Sequence, residues 1–352
     1  MSTRTAVQGK AAHPLPLLTR WKTAWDGCNV PQIELADGFT RWLVISRACV
    51  FTMTIISGML GLLIAAEQAT RGAGSVNWFF GFLAIIGIIL AHASNNLLND
   101  YMDVRQGVDT EDYPRAQYST HPILGGLTTP NGLLKAAGLL TFIDFLIMLY
   151  LYTQVGAMVL VFAVLGFVLS FFYTNVLKRA GLGELTAFVV WGPLMTGGTA
   201  YVALNGMPLT TEIWALTLPY GLVVASVLVG KHIDKIEPDT KVGVRSVPVI
   251  LGEERSKLLN KAIFILFYVI IVALVVLNYT GPGVLLTFLA LPYLRRSWQK
   301  YSEPKPKKAP EGWTVWPLWF VGWAMHFNRK AGGYFTLGLL VNIGWHYIST
   351  LL

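Results

Sequence analysis

The sequence predicts an all-α membrane protein, a bundle of about nine transmembrane helices whose cytoplasmic loops carry the functional residues. Three observations predict this fold. The 352-residue chain is 54% hydrophobic and only 13% charged, with a mean hydropathy of +0.54, whereas soluble domains contain about 25% charged residues. Apolar runs of transmembrane length recur along the whole chain, and basic residues are concentrated in alternate connections between these runs.

The apolar runs set the number of helices. A helix crosses about 30 Å of hydrocarbon with roughly 17–25 residues. Nine spans, the eighth of them short, are expected near 42–66, 78–98, 133–152, 155–174, 184–204, 213–230, 258–277, 282–295 and 334–351. One further run, "WTVWPLWFVGWAMHF" (313–327), is interrupted by proline and rich in tryptophan. We interpret it as an interfacial or re-entrant segment, because tryptophan favours the headgroup region.

The positions of lysine and arginine predict the orientation. Arg71 is the only basic residue in the connections "EQATRGAGSVN", "NGMPLTTE" and "NYTGP". Cytoplasmic loops carry the excess of basic residues, which places the N-terminus and the other loops in the cytoplasm of an integral (cytoplasmic or inner) membrane protein. The net charge of +8 therefore reports orientation, and its spread over separate loops argues against nucleic-acid binding. The basic connections are 1–41, 99–132, 175–183, 231–257 and 296–333.

The expected domain organisation is simple. Residues 1–41 form a polar cytoplasmic arm with no cleavable signal peptide, and residues 42–352 form a single transmembrane domain. Two cysteines are present, Cys28 on the arm and Cys49 inside the first span. With one cysteine on a cytoplasmic arm and the other inside a helix, no disulfide framework is expected.

A first group of polar residues follows the second span, in "NNLLNDYMDVRQGVDTED" (95–112). Asn99, Asp100 and Asp103 are three or four residues apart and share one helix face. Oxygen ligands of this kind are those that Mg²⁺ takes in proteins. Asp109 follows in the loop. The alternative is a solvated helix end, although acids at a helix C-terminus oppose the macrodipole.

A second acidic loop follows the sixth span, "GKHIDKIEPDTKVGVRSVPVILG" (230–252). Asp234 and Asp239 are five residues apart, about 140° around a continuous helix. Pro238 predicts that the helix stops near residue 236, which lets Asp239 curl back from the loop. Glu237 is the competing ligand. These acids alternate with Lys231, Lys235, Lys241 and Arg245.

Acids for metal ions beside basic residues for phosphate oxygens predict a magnesium–diphosphate site. Two acidic groups on one membrane face indicate two Mg²⁺ ions that clamp one diphosphate. Lys178 lies on the same face. A secondary transporter is the competing class, but transporters place their acids near the bilayer midplane.

These residues resemble the UbiA superfamily of intramembrane prenyltransferases, which are nine-helix bundles. The first motif is most similar to the 1,4-dihydroxy-2-naphthoate polyprenyltransferases (MenA) of menaquinone synthesis. The resemblance runs from about residue 42 to 295 and includes Ser46–Arg47 near the start of the first span. The other matching stretches are "NDYMDVRQGVDT" (99–110), "YTNVLKRAGLGEL" (173–185) and "DTKVGVRSVPVILG" (239–252).

The resemblance implies roles for individual residues. It implies contacts to the diphosphate from Arg47, Lys178, Lys241 and Arg245. The sequence departs from the family pattern at three places. Asp234 and Asp239 are five residues apart where the family usually has four, Ala48 stands where proline is common, and the loop 111–127 is longer. The implied metal ligands are Asn99, Asp100, Asp103, Asp109, Asp234 and Asp239, with Glu237 as the alternative to Asp234.

The implied reaction is Mg²⁺-dependent transfer of a polyprenyl group from an allylic diphosphate to an aromatic acceptor. The first-choice acceptor is 1,4-dihydroxy-2-naphthoate or a similar quinone precursor. The alternatives are 4-hydroxybenzoate, a chlorophyllide or a sugar phosphate. Residues expected on the acceptor side are His92, Asn95, Tyr101, Tyr173 and Asn175, although a polar wall that satisfies its own hydrogen bonds is an equal alternative.

Overall fold

A computed structural model describes residues 13–351, except the side chains of residues 174 and 175. The described chain is helical throughout, apart from its turns and loops. Its α-helices, in chain order, are α1 (Leu17–Gly27), α2 (Gly38–Ile45), α3 (Phe51–Thr70), α4 (Trp78–Arg105), α5 (Pro114–Tyr118), α6 (Pro130–Val155), α7 (Met158–Phe172), α8 (Gly183–Val189), α9 (Gly198–Ala203), α10 (Thr211–Ile233), α11 (Ile236–Lys241), α12 (Val247–Leu251), α13 (Glu253–Val276), α14 (Leu291–Lys300) and α15 (Phe320–Leu351).

The long helices match the apolar runs of the sequence. Among residues 13–351, five helices are long and apolar enough to cross a membrane: α3, α4, α6, α10 and α13. The shorter apolar helix α7, the composite segments 183–203 and 282–300, and the long α15 supply the remaining elements at the predicted positions. Helix α4 packs on α6, and α10 packs on α13 and α15. The predicted helical membrane bundle is therefore present.

Local sequence signals explain where several helices begin. The side chains of Asn77 and Thr129 accept hydrogen bonds from the backbone N–H groups of Phe80 and Gly132, at the starts of α4 and α6. Such caps satisfy N–H groups that have no partner inside the helix. Pro130 occupies the first position of α6, where a missing N–H costs nothing.

Two predicted span boundaries are wrong. The first span does not begin at residue 42, because Arg47 adopts a left-handed conformation (φ 57°) that separates α2 from α3. The stretch 313–327 is not a single element separate from the last span. Its first part is a loop, and its second part begins α15, which starts at residue 320 instead of 334.

The fifth predicted span is irregular. A π-helical segment, Val190–Gly197, contains Pro193 and lies between α8 and α9. It crosses α10 closely: a Cβ atom added to Gly221 would meet the Cα atom of Gly192 at 3.1 Å. Small residues at such crossings let membrane helices approach each other. A bulky residue at this glycine would push the two helices apart.

The N-terminal arm folds against the bundle. Ala24, Val30 and Val44 belong to a buried cluster that also contacts Leu127 of the loop before α6. The absence of a disulfide is a wrong expectation, since Cys28 and Cys49 are joined, with their Cα atoms 5.0 Å apart. The sequence places these cysteines in different elements, and only the return of the arm onto the start of α3 brings them together.

Candidate active site

A small polar cavity lies where α4 and α10 end and where the bend before α3 begins. Its volume is about 30 Å³, enough for about two water molecules. Oxygen ligands and cations share its wall, and Leu318 is its apolar member. The polar lining residues are Arg47, Asn99, Asp103, Asp109, Arg115, Tyr118, Tyr173, Lys178, Lys231 and Lys235.

Asp100 is fully buried between two arginines. Its carboxylate accepts hydrogen bonds from Nε and Nη2 of Arg115, at 3.1 and 2.9 Å, and from Nη2 of Arg47. The left-handed backbone of Arg47 lies at the bend between α2 and α3. A carboxylate held by two guanidinium groups has few lone pairs left for a metal ion. The geometry therefore favours a structural role for Asp100, which ties the arm and the loop after α4 to that helix.

Asp103 and Asp109 offer oxygens to the cavity. Oδ1 of Asp103 and Oδ2 of Asp109 are buried and accept no hydrogen bond from the described residues. Oδ2 of Asp109 lies 3.3 Å from Nε2 of His121. Burial raises the pKa of Asp109, but His121 and Arg47 outweigh that effect and leave it below its usual value.

Three side chains beside the polar cavity are close enough together to bind one metal ion. Ligand atoms of Asp100, Asp109 and His121 lie within 4.8 Å of one another. Because Asp100 is held by arginines, Asp103 is the better partner for Asp109, and Asn99 lines the same cavity. Buried carboxylate oxygens without partners are costly unless a cation binds them. These residues fit a hard divalent cation such as Mg²⁺.

Asp239, on α11, does not line the cavity but contacts Lys235, which does. It is fully buried, and its Oδ1 accepts a 2.6 Å hydrogen bond from the Tyr113 hydroxyl. Nζ of Lys235 lies 3.7 Å from the same oxygen. Burial raises the pKa of Asp239, but Lys235 and His232 outweigh it and hold the pKa below its usual value. Burial and repulsion from Lys178 lower the pKa of Lys235 to about 8.

The structure does not bring Asp234 to the polar cavity. Oδ2 of Asp234 accepts hydrogen bonds from the backbone N–H groups of Trp319 and Val321, at 2.8 and 3.0 Å. Its Oδ1 lies 3.3 Å from Nζ of Lys305. This aspartate therefore caps the start of α15, where N–H groups lack partners and the helix dipole favours negative charge.

Three more predicted residues lie at the surface. Glu237 and Lys241 form an exposed pair at 2.7 Å, and Arg245 is exposed. The helix of the sixth span, α10, ends at Ile233, three residues before the predicted stop, and the short helix α11, which begins at Ile236 and contains Pro238, carries this pair at the surface. Lys178, by contrast, is 5% exposed and lines the polar cavity.

A large chamber adjoins the polar cavity. It has a volume of about 710 Å³ and extends between α4, α6, α7 and the 183–203 segment. Tyr173, Asn99 and Arg47 line both spaces. Most of the deeper wall is apolar, with lining residues such as Met148, Leu151, Val159, Phe162, Phe167 and Leu194.

The residues expected on the acceptor side line this chamber. They are Asn95, Tyr101, Tyr173 and His92. Nδ1 of His92 is 2.7 Å from the Thr54 hydroxyl, which also accepts a hydrogen bond from Trp191. His92 is therefore part of a satisfied polar network in the wall. The side chain of Asn175 lies outside the described residues.

Sequence reasoning missed several residues of the cavity. Arg115 and Tyr118, of the long loop after α4, line it. From the same loop His121 contacts Asp109 and Tyr113 contacts Asp239, although neither lines the cavity. Lys231 and Lys235 are recognisable in the sequence as basic residues of the second loop, but they were not predicted to line the site. Their spacing of four residues is the one sequence signal that places both on the same side. The loop contacts have no local signal, because their partners are far away in sequence.

A site with carboxylate oxygens and cations at one end, opening into an apolar chamber inside a helical membrane bundle, defines an enzyme class. It is that of an intramembrane transferase for a substrate with an anionic head and a hydrocarbon tail. The sequence profile of the UbiA prenyltransferase family matches residues 54–321. The chain belongs to this family of prenyltransferase enzymes, as its motifs predicted.

Individual relatives are distant. A 1,4-dihydroxy-2-naphthoate octaprenyltransferase of Bacillus subtilis is 22% identical over 280 residues, which are 76% of this chain and 83% of the relative. A structure of digeranylgeranylglyceryl phosphate synthase is 17% identical and covers 87% of this chain and 98% of its own, with a TM-score of 0.57.

A third protein, a UbiA homologue from Archaeoglobus fulgidus bound to GPP and Mg²⁺, is 11% identical. The match covers 81% of this chain and 98% of the homologue, with a TM-score of 0.51. At these identities the two structures establish the fold as that of a helical membrane protein, and the all-α prediction is confirmed.

Proposed function

We propose that this enzyme transfers a polyprenyl group from an allylic diphosphate to an aromatic acceptor in a Mg²⁺-dependent reaction. The observation that carries the proposal is the junction of two spaces: a polar cavity lined by the carboxylates of Asp103 and Asp109 and by several cations, and an apolar chamber of about 710 Å³. The polar cavity has room for a metal ion, and the diphosphate fits the mouth of the chamber beside it, where Arg47, Asn99 and Tyr173 line both spaces. The hydrocarbon chain fits the chamber.

Asn99, Asp103 and Asp109 are the residues that would hold magnesium. When bound, the ion supplies neutralisation of the charge that develops on the departing diphosphate. Both this site and the Archaeoglobus homologue support the use of Mg²⁺. The same positions were predicted as ligands from the sequence, whereas Asp100 and Asp234 are better explained by the contacts described above.

Basic side chains orient the substrate. Arg47, Lys178, Lys231 and Lys235 line the cavity and donate hydrogen bonds to diphosphate oxygens. The allylic C–O bond then breaks, and its electron pair leaves with the diphosphate. The cation is delocalised, and the apolar chamber keeps water away from it. An electron-rich aromatic carbon attacks, and loss of a proton or of carbon dioxide restores the aromatic ring.

For the acceptor we propose 1,4-dihydroxy-2-naphthoate or a similar quinone precursor. The relative from Bacillus subtilis acts on this naphthoate, and the first acidic motif is similar to that of such enzymes. A different acceptor is the second candidate, because a similar structure belongs to digeranylgeranylglyceryl phosphate synthase. The position of the acids at one end of the bundle argues against a transporter.

A direct assay tests the proposal. Protein purified in detergent is incubated with Mg²⁺, geranylgeranyl diphosphate and a panel containing 1,4-dihydroxy-2-naphthoate, 4-hydroxybenzoate and a glycerol phosphate ether. We expect a prenylated naphthoate, and no product after EDTA. Turnover that is unchanged in EDTA would contradict the magnesium site. Prenylation of another acceptor alone would correct the acceptor but not the reaction.

The chamber predicts a change of chain-length preference. A Cβ atom added to Gly166 meets nothing within 4 Å, and this glycine lines the chamber. The Cβ atom of a phenylalanine is therefore accommodated at this position, and its ring would occupy part of the chamber. We expect Gly166→Phe to lower kcat/KM for geranylgeranyl diphosphate by about tenfold or more, since lost apolar burial and misplacement each cost at least this factor. Turnover of dimethylallyl diphosphate is expected to change little.

The matched control is Gly138→Phe on α6. Gly138 also has open space around an added Cβ atom, but it is exposed and is not among the residues that line the chamber. This variant is expected to keep the wild-type preference. Equal losses for long and short diphosphates in Gly166→Phe would show that the chamber does not hold the prenyl chain.

A further inference from the structure

Lys235 occupies an unusual place for a lysine. It follows the end of α10, is only 6% exposed, and lines the polar cavity together with Asp103 and Asp109. Its ammonium lies 3.7 Å from Oδ1 of Asp239 and 4.2 Å from the centre of the Tyr113 ring. Buried lysines are rare unless they are paired, and this one is held between a carboxylate and an aromatic face.

The second acidic loop provides one carboxylate to the site. Asp234 is used by the start of α15 and by Lys305, and Glu237 is exposed beside Lys241. Asp239 alone is left. Its Oδ1 contacts Tyr113 and Lys235, its Oδ2 is buried without a hydrogen bond from the described residues, and neither oxygen belongs to the lining of the polar cavity. A divalent cation on this carboxylate would lie close to the ammonium, and the two like charges would repel each other in a poorly solvated place.

An ammonium at this position can do part of the work of a metal ion. It is a compact positive charge with three N–H donors. Asp239 and Tyr113 hold it at the wall of the cavity, where Asp103 and Asp109 are the lining carboxylates. From this position the ammonium can contact the oxygens of a diphosphate whose other oxygens bind a metal ion held by Asp103 and Asp109.

We infer that the site binds one divalent cation, at Asn99, Asp103 and Asp109, and that the Lys235 ammonium takes the place of a second. This inference rests on the proposed function and deepens it. It differs from the two-ion clamp that the sequence predicts. Lys235 is accordingly a substrate-binding residue that contacts the diphosphate, and Asp239 is a positioning residue that acts through it.

The number of bound ions tests the inference directly. Mn²⁺ is titrated into the purified protein in the presence of geranyl S-thiolodiphosphate, an unreactive allylic analogue, and bound Mn²⁺ is counted by electron paramagnetic resonance. We expect one ion per chain. Lys235→Met is expected to keep one ion but to bind the analogue at least tenfold more weakly, because the metal ligands remain and a phosphate contact is lost.

A charge-reversing variant is expected to raise the number of bound ions. Because the Lys235 ammonium lies 3.7 Å from Asp239, Lys235→Asp places a second carboxylate near Asp239 and removes the repelling ammonium. We expect this variant to bind two Mn²⁺ ions per chain. Lys308→Asp is the matched control, since Lys308 is exposed; its count is expected to stay at one.

The outcomes separate the inference from the proposed function. Two ions in the wild type, with prenyl transfer intact, would overturn the inference and leave the function standing. No bound ion and no transfer would overturn both. One ion without transfer to any acceptor would support the metal count and overturn the function. Unchanged analogue affinity in Lys235→Met would show that the ammonium does not contact the diphosphate.

Discussion

Replacing Asp103 with alanine is expected to lower kcat/KM for prenyl transfer by about 10²–10³-fold, the loss typical for removal of one group that stabilises developing charge. Oδ1 of Asp103 is buried at the polar cavity and has no hydrogen-bond partner among the described residues. Without this carboxylate the cation site keeps one acid and one amide. Product formation at saturating Mg²⁺, measured by chromatography of the prenylated acceptor, checks the expectation.

Two further measurements make this prediction specific. The variant is expected to need a higher Mg²⁺ concentration for half-maximal rate, because a ligand is missing. Glu111→Ala is the control, since it removes an exposed carboxylate from the same loop, and its rate is expected to match the wild type. An Asp103→Ala enzyme with full activity and unchanged Mg²⁺ dependence would exclude this residue as a metal ligand.

Replacing Asp100 with alanine is expected to destabilise the protein by about 3–5 kcal/mol, the cost of removing one partner of a buried ion pair. Arg115 and Arg47 both bind this carboxylate, and Arg115 is itself only 4% exposed. Their guanidinium groups would be left buried without a counter-charge. Thermal unfolding in detergent, followed by tryptophan fluorescence or by aggregation, is expected to begin at a clearly lower temperature.

Asp112→Ala serves as the reference for this experiment. Asp112 is exposed in the same loop, and surface substitutions usually change stability by less than about 0.5 kcal/mol. The experiment also separates two roles of Asp100. A variant that unfolds at the wild-type temperature but no longer binds Mn²⁺ would make Asp100 a metal ligand and would contradict the structural role argued above.

The residues of the first acidic motif were predictable because they lie on one helix. Asn99 and Asp103 are four residues apart, and the helical repeat alone places them on the same face. Both line the polar cavity. The second loop gave a poorer prediction because its helix stops and restarts around Lys235. Spacing along the sequence no longer tells which side chain faces the site once the helix axis changes.

Long-range contacts were outside the reach of the sequence. Asp234 is turned away from the cavity by two backbone N–H groups that lie 85 and 87 residues further along the chain. Tyr113 reaches Asp239 across 126 residues, and the disulfide joins the arm to the start of α3. Each partner is an ordinary loop residue when only its neighbours in sequence are considered.

The sequence by itself therefore determined that the protein is a helical membrane bundle, because its apolar runs are long enough to cross a bilayer. The acidic and basic residues between these runs indicated that the site binds a diphosphate and a metal ion. The tertiary structure decided the assignment of each charge. Asp100 binds arginines, Asp234 caps α15, and Lys235 lines the cavity. The physical reason is that a buried charge must find a partner, and only the packing of distant loops shows which partners are within reach.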